Sequence, residues 1–167
     1  MTMANNVKVT LKILQYGILP GNTYITGEQD IDPCHFVKTS THEDIDLAII
    51  KTNKPPTFQI NAVDLNRAIV DNKDIAVESF VYTIGFPGGI KFTHTKEGIQ
   101  PVSADGKISQ LGDEYEFMFD ANVWHGASGS PVFNNRGRLI GIAYAGHDET
   151  QGYNLAIKAK HAVELAR

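Results

Sequence analysis

Residues 119–133 read FDANVWHGASGSPVF, and at their centre stands Gly126-Ala127-Ser128-Gly129-Ser130-Pro131. Small residues at 126, 127 and 129 let the backbone turn sharply beneath a single hydroxyl and let another carbonyl approach it closely. That is what a nucleophilic serine needs, together with nearby backbone N–H groups aimed at a developing oxyanion. Those of Gly126 and Ser128 are the expected donors. Taken alone, the hexapeptide reads equally well as a Gly/Ser turn before a strand. Its surroundings decide, because a strand ending in Phe119-Asp120-Ala121 leads into it, and Pro131-Val132-Phe133 and Leu139-Ile140-Gly141-Ile142 lead out.

Working outward, turn signals recur at Pro20-Gly21-Asn22, Pro55-Pro56, Pro87-Gly88-Gly89, Asp105-Gly106 and Asn134-Asn135-Arg136-Gly137. Between them lie short alternating or β-branched runs, the pattern of an all-β sandwich or barrel. Val7, Val9, Leu11 and Ile13 alternate with polar residues and predict a half-buried strand. Further strands are expected over 34–38, 46–51, 80–85 and 152–158, with a hairpin built around 134–137. Asp105-Gly106 is expected to supply the positive φ angles of a tight turn ahead of a hairpin arm and strand over 108–120. Ala162, Val163, Leu165 and Ala166 fall at helical spacing, so a short closing helix is expected at the C-terminus.

Composition narrows the classes. The 167 residues, 42% hydrophobic and 20% charged, suffice for one sizeable core or two small barrels. A net charge of −4 without a basic cluster argues against a nucleic-acid surface. No apolar run is long enough to span a membrane, and the N-terminal residues lack the pattern of a signal peptide. The compartment is therefore left open. The single cysteine, Cys34, rules out an intrachain disulfide and a thiolate zinc cage. Cys34, His35 and His42 lack metal-ligand spacing, and no cofactor or metal is expected.

Five stretches in order resemble the trypsin-like serine proteases, most closely disulfide-free bacterial members such as the high-temperature-requirement and glutamyl endopeptidase groups. Asp120-Ala121 and the Gly-x-Ser-Gly-Ser-Pro run around Ser128 are similar to the family's nucleophile segment. Asp46-Leu47-Ala48-Ile49 resembles the strand carrying the triad carboxylate, 82 residues ahead of Ser128. Tyr82-Thr83-Ile84-Gly85-Phe86-Pro87-Gly88 looks like the opening strand of the second barrel, and Glu97-Gly98-Ile99 through Ile108-Ser109 like the hairpin after it. Gly152-Tyr153-Asn154-Leu155-Ala156-Ile157 is similar to the last strand.

The resemblance implies a two-barrel fold with an incomplete first barrel over 1–75, a C-terminal barrel over 76–167 and a closing helix. It implies peptide-bond hydrolysis through an acyl-enzyme, with Ser128 as nucleophile, Asp46 as orienting carboxylate and peptide or protein substrates. Asp44 fits the strand register less well than Asp46. Asn122, six residues before Ser128, is implied at the base of the substrate pocket, with His125 at the cleft and Tyr144 narrowing it. A small or medium uncharged side chain is expected there.

The family's Thr-Ala-x-His segment has no counterpart in this sequence. Of the six histidines only His35 and His42 precede Asp46, and neither lies in such a segment. The expectation is that the base lies outside this chain, as in the C-terminal part of a longer protease, and that the incomplete barrel invites self-association. The alternative is a peptide-binding module that has lost its base.

Overall fold

The computed structural model describes residues 34–52, 62–69, 71, 75–96, 98–146 and 153–167. The strand expected over 7–13 and the turns at 20–22 and 55–56 lie outside them. The elements in order are β1 (Cys34–Thr39), β2 (Ala48–Thr52), a 3-10 turn (Leu65–Arg67) and β3 (Phe80–Gly85). Then come α1 (Ile90–Thr93), β4 (His94–Thr95), β5 (Gly98–Ile99), β6 (Val102–Gln110) and β7 (Glu116–Phe119). β8 (Pro131–Asn134), β9 (Leu139–Gly146), β10 (Asn154–Lys158) and α2 (Ala159–Ala166) complete the chain.

Six strands close into a barrel in the order β10-β7-β6-β3-β8-β9, each pair antiparallel. The closure follows from alternation. In β3, Val81, Thr83 and Gly85 are buried, whereas Phe80 and Ile84 are exposed. Side chains of period two line the interior, and closure leaves the sheet without an edge. The interior is filled by Val81, Ile108, Phe117, Phe119, Val132, Ile140 and Ile157, all under 2% exposed. Each such side chain contributes on the order of 1.5–3 kcal/mol relative to an exposed one.

The all-β architecture read from the sequence, with its C-terminal helix, is the observed one. Of the two barrels expected, the described residues show one closed, and β1 and β2 form a separate two-stranded antiparallel sheet. The loop joining them docks against the barrel. His42 Nε2 lies 3.0 Å from the Tyr115 hydroxyl, and the two rings pack at 4.5 Å. His161 of α2 also packs on Tyr115, with ring centroids at 5.6 Å and planes tilted by 37°.

One expectation is corrected. Asp105 and Gly106 form no turn but lie inside β6, paired with Tyr82 and Val81 of β3. Glycine stands at 106 because another segment crosses it. A Cβ there would sit 2.5 Å from the Ala121 nitrogen and 2.6 Å from Asp120 Oδ1. The link from β6 to β7 is made instead by residues 111–115, with Gly112 at φ +60°.

Candidate active site

Ser128 is presented by two successive turns between β7 and β8. The Ala127 N–H donates to the Trp124 carbonyl at 3.1 Å, and the Ser130 N–H to the Ala127 carbonyl at 2.9 Å. The segment is sewn to β9 by the Gly129 N–H on the Ala143 carbonyl (2.7 Å) and the Ala143 N–H on the Ser130 carbonyl (2.9 Å). Ala127 and Ser130 are buried at 4% and 7% exposure, and Ser128 between them is exposed. The turn is thus anchored on both sides of the hydroxyl it displays.

Two glycines make this backbone accessible. Gly126 has φ +91° and Gly129 φ +90°, the left-handed region that side chains disfavour. Gly126 is also crowded, since a Cβ would lie 3.0 Å from the nitrogens of Gly88 and Gly89 and 3.1 Å from the Phe86 carbonyl. The Gly88 N–H donates to the His125 carbonyl and ties the Phe86–Gly89 turn against the nucleophile segment. Deeper in, Gly85 leaves space for the Ser130 side chain, and the Thr83 hydroxyl donates to the Pro131 carbonyl at 2.9 Å. With the N–H groups of Ala127, Gly129 and Ser130 bonded, those of Gly126 and Ser128 have no acceptor among the described residues.

The Ser128 hydroxyl donates to the Tyr144 carbonyl at 3.1 Å. The Tyr144 side chain reaches the other way and donates its own hydroxyl to Glu116 of β7. Burial, then this bond and the charges of Glu116, Asp113 and Asp46, hold the phenol protonated far above its ordinary value near 10. Asp46 is exposed in the loop before β2, close enough for its charge to be felt at that phenol. Tyr144 therefore holds the Ser128 hydroxyl with its backbone carbonyl and Glu116 with its ring hydroxyl. Asn122 and His125 are exposed in the segment between β7 and β8.

Of the histidines, His42 is engaged by Tyr115 and lies 3.6 Å from Asp44. His161 packs against Glu164 at 3.5 Å and the Glu114 carbonyl at 3.3 Å. Sequence reasoning missed Glu116, Thr83 and the part played by the Phe86–Gly89 turn. Of these only the turn carried a signal, in its paired glycines.

Tyr144→Phe is expected to lower stability by about 1 kcal/mol through loss of the hydroxyl on Glu116, discounted for partial exposure. A raised phenol pKa means this contribution is complete below the ordinary value and is lost as pH rises past it. In a phenolate absorbance titration, the variant should lack the last-titrating phenol; an unchanged high-pH step would assign that phenol elsewhere.

The closed antiparallel barrel thus displays a serine on an exposed glycine-flanked turn, with two N–H groups beside it that have no acceptor among the described residues. Residues 14–142 match the family model of the trypsin-like peptidase domain, and the chain belongs to that family. It is 32% identical over 113 residues to the glutamyl endopeptidase of Staphylococcus epidermidis, a match spanning 67% of this chain and 37% of that relative. Its fold is similar to the crystal structure of the MamO protease domain from Magnetospirillum magneticum in its apo form, with a TM-score of 0.58 at 19% identity. That likeness covers 80% of this chain and 67% of the other. Among the described residues no helix is long and apolar enough to cross a membrane.

Proposed function

We propose that this chain carries the nucleophile half of a serine endopeptidase, with the division between its two β halves near residue 75. Ser128 Oγ attacks the scissile carbonyl carbon and gives its proton to a histidine oriented by Asp46. The N–H groups of Gly126 and Ser128 receive the oxyanion. The C–N bond then breaks, the leaving amine takes the proton, and water hydrolyses the resulting ester on Ser128. Asn122 forms the base of the substrate pocket, with His125 and Tyr144 at its sides, for a small or medium uncharged residue. Strict cleavage after Arg or Lys in a peptide library would overturn that specificity.

The observation that carries this reading is the exposed Ser128 turn, whose Gly126 and Ser128 N–H groups are left without acceptors among the described residues. The base in this proposal is a histidine from outside the chain, because no Thr-Ala-x-His segment stands ahead of Asp46 in this sequence and His42 is held against Tyr115. Added imidazole should therefore accelerate hydrolysis of an activated ester by the purified chain beyond its own reaction with the ester, from a basal level on the order of 10³–10⁴ over water, and the Ser128→Ala chain should lack that excess. Fast turnover without imidazole, abolished by His42→Ala or His35→Ala, would place the base inside the chain instead. Self-association through the β1–β2 sheet belongs to the same proposal, and turnover per chain that rises with protein concentration would mark it. Constant turnover per chain would remove it.

A second reading, a peptide-binding module without catalysis, draws on the Ser128 hydroxyl donating to the Tyr144 carbonyl. Under it, imidazole would accelerate the ester's hydrolysis no more in the presence of the chain than in its absence.

A further inference from the structure

We infer that Phe92, Trp124 and Phe86 form a subsite for an apolar side chain of the peptide substrate, beside the turn that presents Ser128. Phe92 and Trp124, each 59% exposed, are the most exposed large apolar side chains among the described residues, and Phe86 is 46% exposed. Single exposed apolar residues need no explanation, but here the two extremes touch each other, with ring centroids at 5.2 Å and planes tilted by 60°.

Their place is what gives the pair meaning. Trp124 opens the nucleophile turn, its carbonyl accepting the Ala127 N–H. Phe92 lies over Gly88, where a side chain would run into its ring, and the Gly88 N–H holds the His125 carbonyl. The Phe86 carbonyl is the third group closing around Gly126. All three aromatic residues thus belong to the segments packed around Gly126, whose N–H is one of the two assigned to the oxyanion. A scissile peptide bond laid across those groups brings a neighbouring side chain within reach of the pair.

The platform is also preorganised. Aromatic side chains have two χ angles and lose little entropy on binding, and their remaining faces and edges offer stacking and dispersion to a branched or aromatic partner. Phe92 is further fixed by α1, whose last residue, Thr93, donates both its N–H (3.2 Å) and its hydroxyl (2.8 Å) to the Gly89 carbonyl. The occupant that fits is an apolar residue adjacent to the scissile bond. An acidic one would lose hydration there and meet the negative faces of the rings without a countercharge.

This inference rests on the proposed function, and its test is built so that the two can fail separately. Trp124 is the only tryptophan, so its emission reports the subsite directly. The full-length Ser128→Ala chain is titrated with pairs of short peptides identical except for one residue, Leu or Asp, placed in turn on each side of the bond. At one of those positions the Leu peptide is expected to shift the emission to the blue and bind about tenfold tighter than its Asp partner. Phe92→Ala should reduce that preference to roughly threefold or less. Equal affinities within every pair, or an emission that no peptide moves, would overturn the subsite. That comparison needs no change at Phe92, so it stands even if Phe92→Ala fails to fold. Phosphonate labelling of Ser128 in the unmodified chain, with imidazole present, is read separately. A label without a Trp124 response contradicts the subsite alone, and a Trp124 response without a label contradicts the nucleophile alone.

Discussion

Gly126→Ala is expected to slow acylation of Ser128 by roughly 10²-fold or more, the scale set by removal of one oxyanion donor. Two effects act together. The residue holds φ +91°, which strains any side chain, and its Cβ would press to 3.0 Å on the nitrogens of Gly88 and Gly89. Those are backbone atoms, fixed in part by the Gly88 N–H on the His125 carbonyl, so they cannot rotate out of the way as a side chain would. The least costly relief is a rotation of the 126 peptide, which swings its N–H away from the substrate. Imidazole-supported ester hydrolysis reads the loss, and circular dichroism checks that the barrel persists. Turnover equal to that of the unmodified chain would remove Gly126 from the oxyanion site.

Gly106→Val should produce the largest stability change, a loss of about 3 kcal/mol, a substantial part of a total on the order of 5–15 kcal/mol. The new Cβ would overlap the Ala121 nitrogen at 2.5 Å and Asp120 Oδ1 at 2.6 Å. Neither neighbour is free to move, because Asp120 Oδ1 accepts the Lys107 N–H at 2.5 Å and the Asp120 N–H donates to the Lys107 carbonyl at 3.0 Å. Urea unfolding should show a lower midpoint with an unchanged slope. A midpoint within error of the unmodified chain would mean that β6 and the 120–121 segment do not cross as closely as described.

Gly106 also shows where the sequence misleads. Asp-Gly is a strong turn signal because both residues tolerate positive φ, yet glycine is equally required where one backbone crosses another at close range, and local pattern does not separate the two. By contrast, the bounds of Phe80–Gly85 were legible residue for residue, since its short apolar run and the Phe-Pro-Gly-Gly turn that ends it are both local. The hairpin of β8 and β9 and the closing helix were legible for the same reason. The four residues of α1 were not, because one helical turn is too short to show a period.

Within the candidate site the same division holds. The roles proposed for Ser128, Gly126 and Asp46 rest on short motifs, which local pattern displays. The Glu116 bond to Tyr144 and the packing of Phe92 on Trp124 were not, because each joins residues far apart in sequence that only barrel closure brings together. Nor did the pattern indicate that His42 would settle against Tyr115, a contact made only when the β1–β2 loop meets the segment between β6 and β7.

The proposal that Ser128 is a nucleophile is tested most directly by mapping a covalent adduct. The purified chain, incubated with a small fluorophosphonate in the presence of imidazole, is digested and sequenced by mass spectrometry. The expected result is a single phosphonylated residue, Ser128, formed faster with imidazole than without and absent from the Ser128→Ala chain. An unmodified Ser128, or a label on Ser130 or another hydroxyl in its place, would contradict the assignment.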